Sequence, residues 1–461
     1  MLFDPDLAAI RFGCGLSPVI DPPTSVDAML TALNGPDDMA RLYPVQAFDA
    51  ALGDTDTYRA LRAKRQKLRN KSGYDAADEA FRAYRRQKRI DRLQMFSQRL
   101  LRYARSSDGL RERLTLFWAD HFTAKGRRGA FLHLATPYAE TAIRANISGR
   151  FEDMLIAAVT NPLMLHYLDQ NISAGPNSPA AQRRERVGGL NENLAREVLE
   201  LHTLGVDGPY SQQDVRQLAE LFTGLSYTLK SGFSFKRGLA EPGSEQVLGR
   251  SYGALKGDLQ PVLQALRDLA RHPATARHIA RKLAVHFVAD QPDPDLVAHV
   301  EARFLQTGGY LPDVYGALLE HPAAWQPSLN NVKPPFDFIG STCRAMAVTP
   351  EAITQLTPRQ LARIFSAPMA LMGQKWEDAA GPDGWAEEDG YWITPQNLSA
   401  RLRWALAAPQ RLTSALPDPR AFATGGLGRF ADGKVLFAAG AAETQAEAIG
   451  LVLCAPAFQR R

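Results

Sequence analysis

Between Gly188 and Thr223 the chain reads GGLNENLAREVLELHTLGVDGPYSQQDVRQLAELFT, and its apolar residues recur at helical spacing. At about 100° per residue, Leu194, Val198, Leu201 and Leu204 share one face, and Glu197 falls among them. Gly205 and Gly208 break this helix, and Ser211 with Asp214 three residues on has the form of a capping box. Val215, Leu218, Ala219 and Phe222 then make a second amphipathic face. The segment is a tight helical hairpin, and its apolar stripes can be buried only against further helices.

The same stripe sets a chemical problem. Glu197 is expected to be buried, and Asn193, Glu197 and Glu200 follow at i, i+4 and i+7, so an amide and two carboxylates form one ridge. Desolvation and like charge both raise a carboxylate's pKa, so the pair needs a guanidinium, a shared proton or a cation. Three readings follow: a structural ion pair with an Arg from another helix, a polar pocket, or a metal site. In the pocket reading Glu197 and Glu200 are the acid/base or divalent-cation groups, and Asn193 and Arg196 orient the ligand.

Helical patterns separated by Pro and Gly run through the rest of the chain. They predict a mainly α, multi-helix orthogonal or bundle-like globular protein with a short β-hairpin or flap around 227–252. The divisions read from the pattern are an N-terminal helical segment, 1–56, a basic helical arm, 57–106, a central helical core, 107–340, and a C-terminal helical region, 341–461. Helices are expected at Asp4–Arg11, Ser25–Leu33, Arg111–Phe122 and Thr136–Ser148. Residues 171–189, rich in Gly, Pro, Ser and Arg, lead into the acidic helix and read as a lid over its Glu197 edge or as a surface excursion.

The net charge of +5 hides an imbalance: 16 Lys/Arg against 4 acids lie between Arg59 and Arg105, a local +12. This arm, turning at Lys71-Ser72-Gly73, reads as two solvated helix faces or as a docking surface, with Arg85, Arg86, Lys88 and Arg89 as the partner-binding candidates. No specific nucleic-acid module is present, and no apolar run is long enough to span a membrane. The opening MLFDPDLAAIRFG lacks a basic n-region and a long apolar stretch, so the expectation is a cytoplasmic chain that becomes periplasmic only if carried by a partner. Cys14, Cys343 and Cys454 show no metal-ligand spacing and read as reduced thiols.

Two other regions could carry chemistry. The helix Arg111–Phe122 bears Trp118, Asp120 and His121, a possible second proton carrier, although adjacent helix residues point about 100° apart. His202 lies about 140° from Glu197 on its helix, so the two serve different neighbours. The loop 373–392 concentrates three of the six Trp residues, and Trp385 and Trp392 there could stack on a sugar or aromatic ligand, or could pin the loop to the core.

NENLAREVLELHTLGVDGPYSQQDV, FWADHF at Phe117–Phe122, RFGCGLSP at Arg11–Pro18, HPATARHIARKL at His272–Leu283, KPPFDF at Lys333–Phe338 and FQRR at Phe458–Arg461 resemble the bacterial domain-of-unknown-function 1800 family from end to end. The chain departs from that pattern at Ala119, where His is frequent, and at Ala240-Glu241-Pro242-Gly243, where a His-acid-x-Gly step is expected. The resemblance implies a protein partner, since relatives are frequently encoded beside a sulfatase-like protein that often carries an export signal. Two functions stay open: a non-catalytic or weakly catalytic helical partner of such a protein, or a hydrolase-like or cation-dependent enzyme or binding protein. The latter would use a pocket between the FWADHF and NENLARE helices.

Overall fold

The computed structural model describes residues 3–126, 129–183, 188–254, 256–413 and 415–461. Among these residues helices dominate, and the sheets are two antiparallel hairpins, so the chain is mainly α. Among the described residues no helix is long and apolar enough to cross a membrane. The single flap expected around 227–252 is two hairpins, Leu225–Thr228 with Gly232–Phe235 and Gly243–Val247 with Arg250–Ala254. The second reverses at Leu248 and Gly249, both at positive φ, the backbone a two-residue hairpin turn demands.

The basic arm is the antiparallel pair Phe48–Lys67 and Tyr74–Arg105, reversed through Gly73 at φ 86. Its outer part is exposed. Its inner end, Met95 to Ala104, is buried, with Phe96 and Tyr103 edge-on to Phe336 of the helix Pro335–Ala345.

Several helices are not regular. Ala8–Phe12, Ala139–Ile143, Val198–Thr203 and Ala362–Ser366 wind in π register, so the expected helices over Asp4–Arg11 and Thr136–Ser148 are composites of α and π or 3₁₀ turns. In the NENLARE helix this changes the buried face. Leu194, Val198 and His202, with Ala195, Leu199 and Thr203, recur every four residues, longer than the α-helical 3.6. Leu201, expected in the core, is therefore half-buried, while His202 is fully buried.

The apolar interior forms two large clusters. One gathers the helices Gly109–His121, Phe151–Val159, Gln212–Phe222, Leu259–Ala270 and Pro273–Phe287 around Trp118, Phe122 and Phe151. The other gathers the inner end of the arm, Pro335–Ala345, Pro395–Ala407 and Gln445–Cys454 around Phe338, Phe365 and Trp404. A buried polar chain joins them. Arg113 donates to Nε2 of His286 at 3.2 Å and lies 3.5 Å from Asp337, which also accepts from Arg461.

Removing one member of a buried ion pair strands the other charge, at a cost of about 3–5 kcal/mol. Asp337→Ala should therefore lower the unfolding free energy by about that amount, whereas Asp38→Ala, which breaks the exposed Arg41–Asp38 pair, should cost less than about 1 kcal/mol. Denaturant midpoints read the contrast, and equal small effects would remove Asp337 as the junction.

Candidate functional site

At the junction of the two clusters lies a cavity of about 130 Å³. One wall is the Gly109–His121 helix, presenting Leu116, Ala119 and Asp120. The loop 373–392 covers it with Trp376, Trp385 and Glu387, and His286 and Asp337 also line it.

Asp120 accepts the Trp385 backbone N–H on both carboxylate oxygens, at 3.0 and 3.1 Å. The approach depends on Gly384, at φ +81, because a Cβ there would lie 2.6 Å from Asp120 Oδ2. Burial, then the nearby Glu387 charge, push the Asp120 carboxyl up to about 8, against the opposing pull of Lys282 and the Trp385 N–H. Asp120 is thus mostly protonated at neutral pH.

Glu387 is held in the opposite state. His286 Nδ1 lies 2.9 and 3.0 Å from its two oxygens, while Arg113 donates to His286 Nε2. Arginine has no acceptor, so Nε2 must accept and the proton sits on Nδ1, where it is donated to Glu387. Burial lowers His286 to about 4, which keeps the ring neutral. Burial alone would raise Glu387, but His286, Arg461 and Lys282 outweigh it and hold the carboxyl below its usual range. One cavity therefore carries a protonated and an ionised carboxyl.

Elsewhere in the wall, Arg99 is 3% exposed, and Glu377 accepts the Thr136 hydroxyl. Glu377 adopts φ 52, a left-handed backbone that is uncommon for a non-glycine residue. Burial raises its carboxyl.

The family model described as "Protein of unknown function (DUF1800)" matches residues 10–460. The chain belongs to the DUF1800 family. No curated protein and no solved structure matches it. In this DUF1800 chain Ala119, which stands where His was expected, is part of the cavity wall.

Of the residues singled out from the sequence, Asp120, Trp385 and Trp392 meet at the cavity. Trp118 is fully buried and donates to the Tyr315 hydroxyl at 2.7 Å, as a core residue does. His121 and His202 are buried behind the wall, where His121 Nε2 lies 3.2 Å from the His202 carbonyl. That contact fixes His121 between the two helices rather than facing it into the cavity. Burial holds both rings well below their usual pKa.

The NENLARE helix contributes no side chain to this cavity wall, which lies under the Trp-rich loop and not between that helix and the FWADHF helix. Nor is Glu197 a buried ion-pair partner. It is half-buried, and Arg196 pairs instead with Glu192 and Glu200 at 3.3 and 3.2 Å, while Asn193 is exposed. His202, within the π turn, is in the core, whereas Glu197, in the α turn before it, lies at the helix edge. Burial, Glu200 and Asp383 raise Glu197 to about 7. Asp383 also raises Asp120, so these two carboxyls flank the same stretch of loop.

The expected lid is placed elsewhere as well. Gly175 and Ala180 donate to Leu239 and Gly238, so this part of 171–189 packs on the segment between the hairpins, and residues 184–187 of that expectation lie outside the described residues. Among the described residues no group of three or more His, Cys, Asp or Glu is placed to hold a metal ion.

Sequence reasoning missed His286, Glu387 and Arg99. For Arg99 the signal was available: Phe96, Arg99, Leu100 and Tyr103 fall at i, i+3, i+4 and i+7, a cation inside an apolar stripe. Glu387 sits in an irregular loop with no periodicity to read.

Asp120 has a folded pKa of about 8, above the unfolded value of about 3.9. Between these limits the folded chain holds a proton that the unfolded chain has released. Stability from this group is fully present below the unfolded value and is lost as pH rises through 8. Asp120→Asn should flatten the decline in melting temperature between pH 5 and 8. An unchanged slope would mean that Asp120 is ionised across this range.

Proposed function

We propose that this chain binds a small organic molecule in the cavity beneath the Trp-rich loop and performs acid–base chemistry on it. Asp120 is the proton donor and Glu387 the proton acceptor. The observation that carries the reading is the pair of carboxyls held in opposite protonation states on one cavity surface, the arrangement by which a single site offers both an acid and a base at neutral pH. His286 holds Glu387 in place through its Nδ1–H, and Arg113 fixes the tautomer of His286. Trp385 and Trp392 supply aromatic wall, and Gly384 lets the loop close onto Asp120. The acidic ridge at Glu197 and Glu200 lies outside the cavity and serves, in this reading, as an outer flank of the loop.

The test is a thermal-shift and turnover screen with small esters, amides, alcohols, acids and sugars. At least one compound should stabilise the wild-type chain, and Ala119→Phe, which fills the cavity, should abolish that shift. For a compound that turns over, Asp120→Asn should retain binding and slow the reaction by about 10²–10⁴-fold, the range for loss of a general acid. Equal stabilisation of the Ala119→Phe chain would place the ligand elsewhere and end this reading.

A second reading rests on the arm. Arg85 and Arg89 are exposed and form no ion pair among the described residues, whereas Arg86 pairs with Glu79 at 2.5 Å and Lys88 with Asp54 and Asp91 at 2.7 and 3.0 Å. The free charges suit docking to an acidic face of the sulfatase-like gene neighbour, with which the chain would be carried to the periplasm. Arg85→Glu with Arg89→Glu should abolish co-purification with that neighbour and leave the melting temperature within a few degrees of wild type. Undiminished recovery would take the arm out of partner binding.

A further inference from the structure

Arg99 lies on the inner end of the arm helix, flanked by Phe96, Leu100 and Tyr103, which are all buried. Its guanidinium lines the cavity, and among the described residues it forms no hydrogen bond or ion pair. That is unusual in this interior. Arg102 is matched by Glu140 at 2.7 and 2.9 Å and by the Tyr43 carbonyl, and Arg144 by Glu112 and Asp37 at 2.6 to 2.8 Å. The acids around Arg99 are therefore already engaged by other arginines. The remaining one, Glu377, accepts the Thr136 hydroxyl, and burial raises its carboxyl against the pull of Arg92 and Arg99. A buried guanidinium with five N–H donors and no acceptor is costly, and in a cavity wall it is a receptor for an anion.

We infer that the ligand of this cavity is a small monocarboxylate with a flat apolar body, about the size of benzoate, whose carboxylate is received by Arg99; this rests on the cavity being the ligand site proposed above. The guanidinium fork matches a carboxylate with two parallel hydrogen bonds. The volume sets the body: an apolar cavity of about 150 Å³ holds a benzene, and this one measures about 130 Å³ with Tyr138, Phe336 and Trp376 in its wall.

The charges set the orientation. Glu140, Glu112, Arg102 and Arg144 act on Arg99, whereas Glu387, Lys282 and Asp383 act on Asp120. Arg99 stands on the arm helix Tyr74–Arg105 and Asp120 on the helix Gly109–His121, so the guanidinium and the proton donor come from different elements of the wall, and a ligand anchored at one can present its far end to the other. A single negative charge fits best, because the cavity already holds the ionised Glu387. Entry is favoured as well. Arg92, two helical turns from Arg99, donates to the Trp376 carbonyl, and the exposed Lys375 lines the cavity, so the route in is continuous with the positive arm.

The full chain is titrated with benzoate, its neutral isostere benzamide and inorganic phosphate, with binding followed by tryptophan fluorescence. Benzoate should bind the wild type at least tenfold more tightly than benzamide, with phosphate weaker than benzoate. Arg99→Gln should erase the preference, and Arg99→Lys, which keeps the charge and loses the fork, should retain part of it. The wild-type comparison needs no variant, so the inference stays testable if Arg99→Gln fails to fold. Equal binding of benzamide and benzoate would overturn the anion assignment while leaving the cavity a ligand site. Phosphate binding as tightly as benzoate would overturn the apolar body. Binding of none of the three would overturn the inference as stated, whereas the cavity reading stands or falls on the broader screen and Ala119→Phe.

Discussion

The polar chain running from the half-buried Glu387 through the buried His286, Arg113 and Asp337 to Arg461 is the constraint on which the rest of the structure depends. Its members come from the Trp-rich loop, the helices Pro273–Phe287, Gly109–His121 and Pro335–Ala345, and the strand-like pairing of Val332 with Arg460. Two apolar clusters packed against each other by shape alone could slide. Charged groups that must be matched when desolvated fix one register between them. The cavity lies where that register is set, which is why three of the five residues in the chain also line it.

That placement gives the site its chemistry. His286 could serve as an ordinary titrating imidazole in a wetter setting. Here burial keeps it neutral, and Arg113 commits its second nitrogen, so it acts by fixing and ionising Glu387. Asp120 faces the resulting negative charge in a desolvated wall and keeps its proton. Burial first and the Glu387 charge second raise Asp120, while His286, Arg461 and Lys282 lower Glu387, so the two carboxyls are driven apart by their surroundings.

Irregular backbone does much of the positioning. The π turn of Val198–Thr203 turns the Leu201 and His202 carbonyls to accept from His278 and His121, at 3.1 and 3.2 Å, which locks the back of the FWADHF helix. Short helices also leave carbonyls inside the protein that need donors. Buried arginines supply them: Arg111 reaches Ala32, Leu33 and Gly35 at the end of the Val26–Asn34 helix, and Arg344 reaches Gly15 and Ser106. Against that pattern, Arg99 stands out, among the described residues, as a buried guanidinium without a hydrogen-bond or ion-pair partner.

Local spacing in the sequence was enough to determine the helical class, the hairpin after Gly205 with its Ser211–Asp214 capping box, the arm reversing near Gly73, and the helix that carries FWADHF, because each depends on residues within a few turns of one another. Tertiary structure decided which polar residues meet. Glu197 falls within the apolar stripe at the α-helical period of 3.6, yet it lies half-buried at the edge of its helix, just before the π turn Val198–Thr203. Asp120, His286, Glu387 and Arg99 are separated by up to 288 residues, and no local period relates them. Their protonation states arise from mutual distance and desolvation, quantities that exist only once the chain has closed around them.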